Sequence, residues 1–91
     1  MAESLSGKVA VISGVGSGFG KATAEKFAAE DQVNLVLIDF NKEALDATAE
    51  ACRAYGSQVV AIPGDVTKLE THEQALAACL DNWDRVDFLI N

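Results

Sequence analysis

Val9-Ala10-Val11-Ile12-Ser13-Gly14-Val15-Gly16-Ser17-Gly18-Phe19-Gly20 is the stretch on which the reading of the chain turns. Its first four residues are apolar and mostly β-branched, as a short buried strand requires. Glycine then falls at 14, 16, 18 and 20, and from Gly18 onward the apolar residues follow helical spacing. Strand, glycine turn and helix in that order are the setting in which such a turn holds a phosphate. The G-x-G-x-x-G spacing does not fit, because Phe19 or Lys21 stands where its last glycine belongs. G-x-x-x-G-x-G does fit, through Gly14, Gly18 and Gly20. Glycine here permits φ > 0 and lets a diphosphate approach the backbone with no Cβ in the way. The helix that begins near Gly18 offers unpaired N–H groups, Phe19's among them, and the positive end of its dipole. Ser17 adds a hydroxyl donor.

Three further apolar runs follow, at Val33–Ile38, Gln58–Ile62 and Val86–Ile90, each separated from the last by a helical pattern. In the first helix, Gly18 to Glu30, a weak stripe of Phe19, Ala22, Thr23 and Phe27 is expected to face the sheet. The second is clearer: Leu45, Thr48, Ala49 and Cys52 recur at i, i+3, i+4, i+7, between an Asn41 N-cap and Gly56 past the end. The third is predicted to start at Thr67 through a Thr67-Lys68-Leu69-Glu70 capping box, with Leu76, Cys79, Leu80 and Trp83 inward. Near-continuous apolar strands suit a parallel sheet covered on both faces. The reading is α/β, a Rossmann-type open parallel sheet in the order β-α-β-α-β-α-β. No helix follows Phe88-Leu89-Ile90-Asn91 to cover the last strand. Residues 1–91 are therefore expected to be one N-terminal half of a dinucleotide-binding domain, truncated from a longer polypeptide.

Composition narrows the partners. Fourteen acidic residues against seven basic give a net charge of -7, which disfavours nucleic acid and anionic membranes. No apolar run is long enough for a membrane span, and Met1 to Lys8 does not read as a secretory signal, so a cytoplasmic location is expected. Cys52 and Cys79 form no C-x-x-C pair and read as buried, reduced thiols. An anionic ligand must be gripped by local donors against the global field, as the glycine turn would do. Asp39, about 20 residues past the turn, stands where a carboxylate holds the two hydroxyls of an adenine ribose and repels a 2′-phosphate. Phe40 and Asn41 follow it, with no arginine to accept such a phosphate, so NAD(H) is expected over NADP(H). Asp65 and Val66, past the third strand, are placed to accept from an adenine amino group and to donate a backbone N–H. As alternatives, Asp39 caps a helix and Gly64-Asp65 is an ordinary turn. His72 reads as a packed or surface residue, with no metal site, and Glu70 and Glu73 as a solvated cluster.

Taken together, these residues resemble the short-chain dehydrogenase/reductase family over essentially the whole chain. Ser13–Gly20 is similar to its T-G-x-x-x-G-x-G turn, Asp39 to its NAD-selecting acid, and Asp65-Val66-Thr67 to its D-V-T segment. Asp87-Phe88-Leu89-Ile90-Asn91 is similar to the strand entering its N-N-A-G motif, which would put Asn91 near the cofactor. The resemblance implies hydride transfer between a nicotinamide and a small alcohol or carbonyl substrate, and assembly as a homo-oligomer. The family's catalytic serine, tyrosine and lysine find no match. The single tyrosine, Tyr55, has Val59 rather than lysine four residues on, so no catalytic residue is assigned. Two other readings remain open at this point: a non-catalytic NAD-binding module, and a transferase that uses S-adenosylmethionine.

Overall fold

A computed structural model of the chain describes residues 4–91. Met1, on which part of the leader argument rests, lies outside the described residues. Strand β1 (Val9–Ser13) leads through the glycine turn into α1 (Gly18–Asp31), then β2 (Asn34–Asp39), α2 (Lys42–Ala54), β3 (Val59–Pro63), α3 (Leu69–Trp83) and β4 (Phe88–Ile90). All pairings are parallel, in the order β3-β2-β1-β4. The α/β architecture read from the sequence is the one observed.

Right-handed crossovers explain the layers. The chain moves one way across the sheet from β1 to β3, which puts α1 and α2 on one face. It then returns past β1 to β4, which puts α3 on the other. Alternate residues of β1 and β2 serve the two faces: Ala10, Ile12, Leu35 and Leu37 pack under α1 and α2, and Val9, Val11, Val36 and Ile38 under α3. Each of these side chains is almost wholly buried. At roughly 1.5–3 kcal/mol for each larger aliphatic, these two strands anchor the domain.

The helices differ from expectation in an informative way. In α2 the buried set is Leu45, Thr48, Ala49 and Cys52, as predicted, with Asn41 Oδ1 accepting from the Ala44 amide and Gly56 at φ +107 beyond the end. In α1 the predicted stripe holds only in part: Phe27 is half-buried and packs against the core and Phe88, but Phe19 is 92% exposed, Ala22 is exposed, and the buried residues are Ala24 and Ala28. Small side chains let this helix lie close to β1, which a phenyl ring at its first turn would prevent. In α3 the buried residues are Thr71, Ala75 and Cys79, whereas Leu76 and Leu80 are about half exposed. This helix starts at Leu69 rather than Thr67, and no side chain caps it. With Lys68 at the N-cap position the expected capping box is out of register, and the Thr67 hydroxyl instead donates to Asp65 Oδ1 (2.7 Å) in the preceding turn. Trp83 is half-buried, its indole N–H donating to Gln58 Oε1 at 3.0 Å.

Strand β4 is short, and its entry is fixed by a carboxylate. Asp87 Oδ2 accepts from the Val9 amide (2.8 Å), while Arg85 grips both Asp87 oxygens at 2.8 Å. The Arg85 hydrogen bonds and the Val9 amide hold the Asp87 carboxyl below its ordinary range. Beside β4, Leu76, Leu80, Val86 and Leu89 leave an apolar strip open on the α3 face. Among the described residues no helix is long and apolar enough to cross a membrane.

Candidate nucleotide site

The carboxyl ends of β1, β2, β3 and β4 bring Gly14, Asp39, Asp65 and Asn91 to one edge of the sheet, where open α/β sheets bind ligands. Every residue singled out from the sequence as cofactor-binding lies on or just past that edge. Tyr55 does not: it follows α2 and precedes the amino end of β3, at the opposite edge.

The turn after β1 is held by its neighbours on all sides. The Gly14 amide donates to the Ile38 carbonyl (2.9 Å), and the Ser13 hydroxyl donates to Asn91 Oδ1 (3.0 Å), tying β1 to β2 and β4. Val15 is fully buried, and its carbonyl accepts from the Thr48 hydroxyl of α2 at 2.9 Å. Gly14 and Gly18 adopt φ of +71 and +59, and a Cβ on either would point into open space. The strain of that backbone region, rather than lack of room, calls for glycine there. Gly20 is constrained differently. A Cβ on it would sit 2.2 Å from the Gly14 carbonyl oxygen, so only glycine lets the helix start this close to the turn.

With the turn so fixed, the amides of Ser17, Gly18, Phe19 and Gly20 donate to nothing among the described residues. Ser17 is the N-cap of α1, yet its hydroxyl makes no capping bond. Four free amides, a free hydroxyl and the helix dipole thus converge beside a cavity whose lining, among the described residues, holds no basic side chain, a donor set suited to a diphosphate.

Asp39 sits between the turn and α2. Its Oδ1 accepts from the Gly16 amide (3.0 Å) and its Oδ2 from the Asn41 amide (2.9 Å). The alternative that Asp39 caps the helix does not hold, since Asn41 is the N-cap of α2, and each Asp39 oxygen keeps a lone pair beyond its one hydrogen bond. Gly16, which the motif spacing passed over, is required by this contact: its Cβ would lie 2.7 Å from Asp39 Oδ2 and 3.1 Å from Ala44 Cβ.

Asp65 forms an Asx turn, with Oδ1 accepting from both the amide (2.8 Å) and the hydroxyl (2.7 Å) of Thr67. The Thr67 hydroxyl first, and its amide next, hold the Asp65 carboxyl below its ordinary range. Asp65 Oδ2 and the Val66 amide have no partner among the described residues. Two cavities flank Gly14 and share it. One, of about 340 Å³, is lined by Asp39, Phe40, Gly64, Asp65 and Val66. The other, of about 300 Å³, is lined by Ser13, Ser17, Phe19, Gly20, Thr23, Ile90 and Asn91. The exposed rings of Phe40 and Phe19 stand one over each side.

Known proteins share this arrangement. The short chain dehydrogenase profile matches residues 8–91. A short chain dehydrogenase/reductase from Burkholderia phymatum, solved in complex with NAD, is 39% identical with a TM-score of 0.87, over 97% of this chain and 31% of that one. L-Sorbose reductase from Gluconobacter frateurii, complexed with NADPH and L-sorbose, is 33% identical with a TM-score of 0.89, over 100% and 35%. Cis-1,2-dihydrobenzene-1,2-diol dehydrogenase of Pseudomonas putida is 30% identical over 94% of this chain and 30% of its own length. The chain thus spans about a third of the length of these relatives. With the glycine turn, the parallel sheet and the matched profile in agreement, the chain belongs to the short chain dehydrogenase family.

Proposed function

We propose that residues 1–91 are the N-terminal half of a dinucleotide-binding domain in an NAD(H)-dependent oxidoreductase. The observation that carries this reading is the pair of cavities meeting at Gly14, with the free amides of Ser17–Gly20 between them. That layout suits a ligand with two ends joined by a diphosphate. The adenosine end fits the Asp39 side, with the ribose hydroxyls donating to the Asp39 carboxylate. The adenine amino group would donate to Asp65 Oδ2, and the Val66 amide would donate to the ring. The other end fits the Phe19 side, near Asn91. When bound, a nicotinamide dinucleotide supplies the hydride acceptor or donor for interconverting a small alcohol and its carbonyl. These residues bind and orient it, and none of them is assigned a proton-transfer role. Family membership favours such a dinucleotide over S-adenosylmethionine on the same turn. The proposal extends to a cytoplasmic protein that assembles as a homo-oligomer.

Asp39 makes the cofactor preference testable. A 2′-phosphate about 4 Å from its carboxylate would be opposed by roughly 4 kcal/mol at an effective dielectric near 20, and by less at this half-buried edge in salt. NADH is therefore expected to bind the protein at its natural length more tightly than NADPH by roughly tenfold or more. Asp39→Ala should weaken NADH and narrow that ratio, both read from nicotinamide fluorescence. An unchanged ratio would remove Asp39 from the ribose. Tight S-adenosylmethionine binding with no NADH response would remove the dehydrogenase reading altogether.

A further inference from the structure

His72 lies in the first turns of α3, outside the residues placed against the dinucleotide above. Its Nε2 is 2.6 Å from the Val66 carbonyl oxygen. A carbonyl only accepts, so the imidazole donates from Nε2–H. The other polar atom of the same planar peptide, the Thr67 amide, donates to Asp65 Oδ1 at 2.8 Å. The Val66–Thr67 peptide is thus clamped at both its oxygen and its nitrogen, and a planar unit held at both ends cannot rotate without breaking a bond. In the preceding peptide, the Asp65 carbonyl accepts from the Lys68 amide at 3.0 Å. Across these two peptides the Val66 N–H alone has no partner among the described residues, and Val66 lines the cavity beside Asp39.

We infer that His72 is a positioning residue for the adenine end of the site, holding the Asp65–Val66 turn so that the Val66 amide points into the cavity. The inference rests on the cofactor reading above. Among the described residues no other side chain bonds to that carbonyl, so without the imidazole the Val66–Thr67 peptide loses the restraint on its oxygen and keeps the one on its nitrogen.

The test compares His72→Ala and His72→Gln with the unsubstituted protein at its natural length. The probes are NADH, ADP-ribose, and reduced nicotinamide mononucleotide, which lacks the adenosine. His72→Ala should weaken NADH and ADP-ribose about three- to tenfold, the scale of one net hydrogen bond, and leave the mononucleotide unchanged. Glutamine places an amide N–H near the position of Nε2, so His72→Gln should restore most of the affinity. Should His72→Ala fail to fold, His72→Asn, whose amide is too short to reach, is expected to show the same selective loss. Unaltered NADH affinity in the alanine and asparagine variants would overturn the inference, as would equal weakening of the mononucleotide or no rescue by glutamine. If the unsubstituted protein binds neither NADH nor ADP-ribose, the cofactor reading itself fails, and this inference with it.

Discussion

Gly20→Ala should damage nucleotide binding more than any other single methyl addition to the turn. The new Cβ would meet the Gly14 oxygen at 2.2 Å, the Gly14 carbon at 2.7 Å and the Ser13 oxygen at 3.1 Å. All three are backbone atoms, so no side chain can rotate away, and the start of α1 must move back from the turn by about 1 Å to reach ordinary contact. Overpacking of this kind costs roughly 1–3 kcal/mol of stability, and the upper part of that range applies where main chain must shift. The same movement carries the free amides of Ser17–Gly20 off the diphosphate. Losing one or two hydrogen bonds to a charged group, at about 1.5–3 kcal/mol each, weakens NADH at least tenfold. Gly7→Ala is the matched control. Gly7 has φ +83 with nothing near its Cβ position, so alanine there adds backbone strain without touching the turn. Urea unfolding and NADH titration of both variants separate the effects. Both should lose stability, and only Gly20→Ala should lose affinity. Wild-type NADH affinity in Gly20→Ala would refute the reasoning.

Two more outcomes follow from buried groups. Thr48→Val keeps the shape of the α2 stripe but leaves the buried Val15 carbonyl without its donor, so stability should fall by about 1–3 kcal/mol in denaturant melts. Thr48→Ser, which retains the hydroxyl, should lose less. Burial pushes the Cys52 thiol up to about 11, with Glu25 adding to the shift, and burial alone raises Cys79. In the folded chain both thiols are buried and held further toward the protonated form than a free cysteine. Labelling by a thiol-specific disulfide reagent should therefore be slow there and accelerate at the denaturant concentration where the protein unfolds. Prompt labelling of both thiols under native conditions would contradict the packing described.

The legibility of the sequence varied with how the chain makes its contacts. Helix α2 could be read directly because its buried face uses Leu45 and Cys52 against charged residues opposite. Helix α1 could be read only in part: Phe27 packs on the core as expected, but Ala24 and Ala28 pack by closeness rather than by hydrophobic contrast, and the apolar Phe19 is exposed beside the site. In α3 the capping box failed because Thr67 is drawn into the Asp65 turn, by both its amide and its hydroxyl, and the helix begins only after Lys68. At the candidate site, the placement of Gly14, Gly18, Gly20 and Asp39 on one sheet edge was legible because it depends on chain order: a glycine turn after one strand and an acid after the next. Gly16, Thr48 and His72 were not. Each acts through one hydrogen bond to a partner, Asp39, Val15 or Val66, that the spacing of motifs does not pair with it. The Gly16 spacing was visible, but without the fold nothing marked it as the glycine that faces a carboxylate.

The bonds from Asp39 to the amides of Gly16 and Asn41 make charge and shape inseparable at this corner. Replacing the acid to welcome a phosphorylated ribose would also release the loop on one side and the entrance of α2 on the other. A basic side chain substituted there offers no acceptor to either amide. If the chain prefers NAD(H) as proposed, switching that preference is a task for several coordinated substitutions that rebuild the corner, and a lone exchange at Asp39 should yield a weaker binder of both.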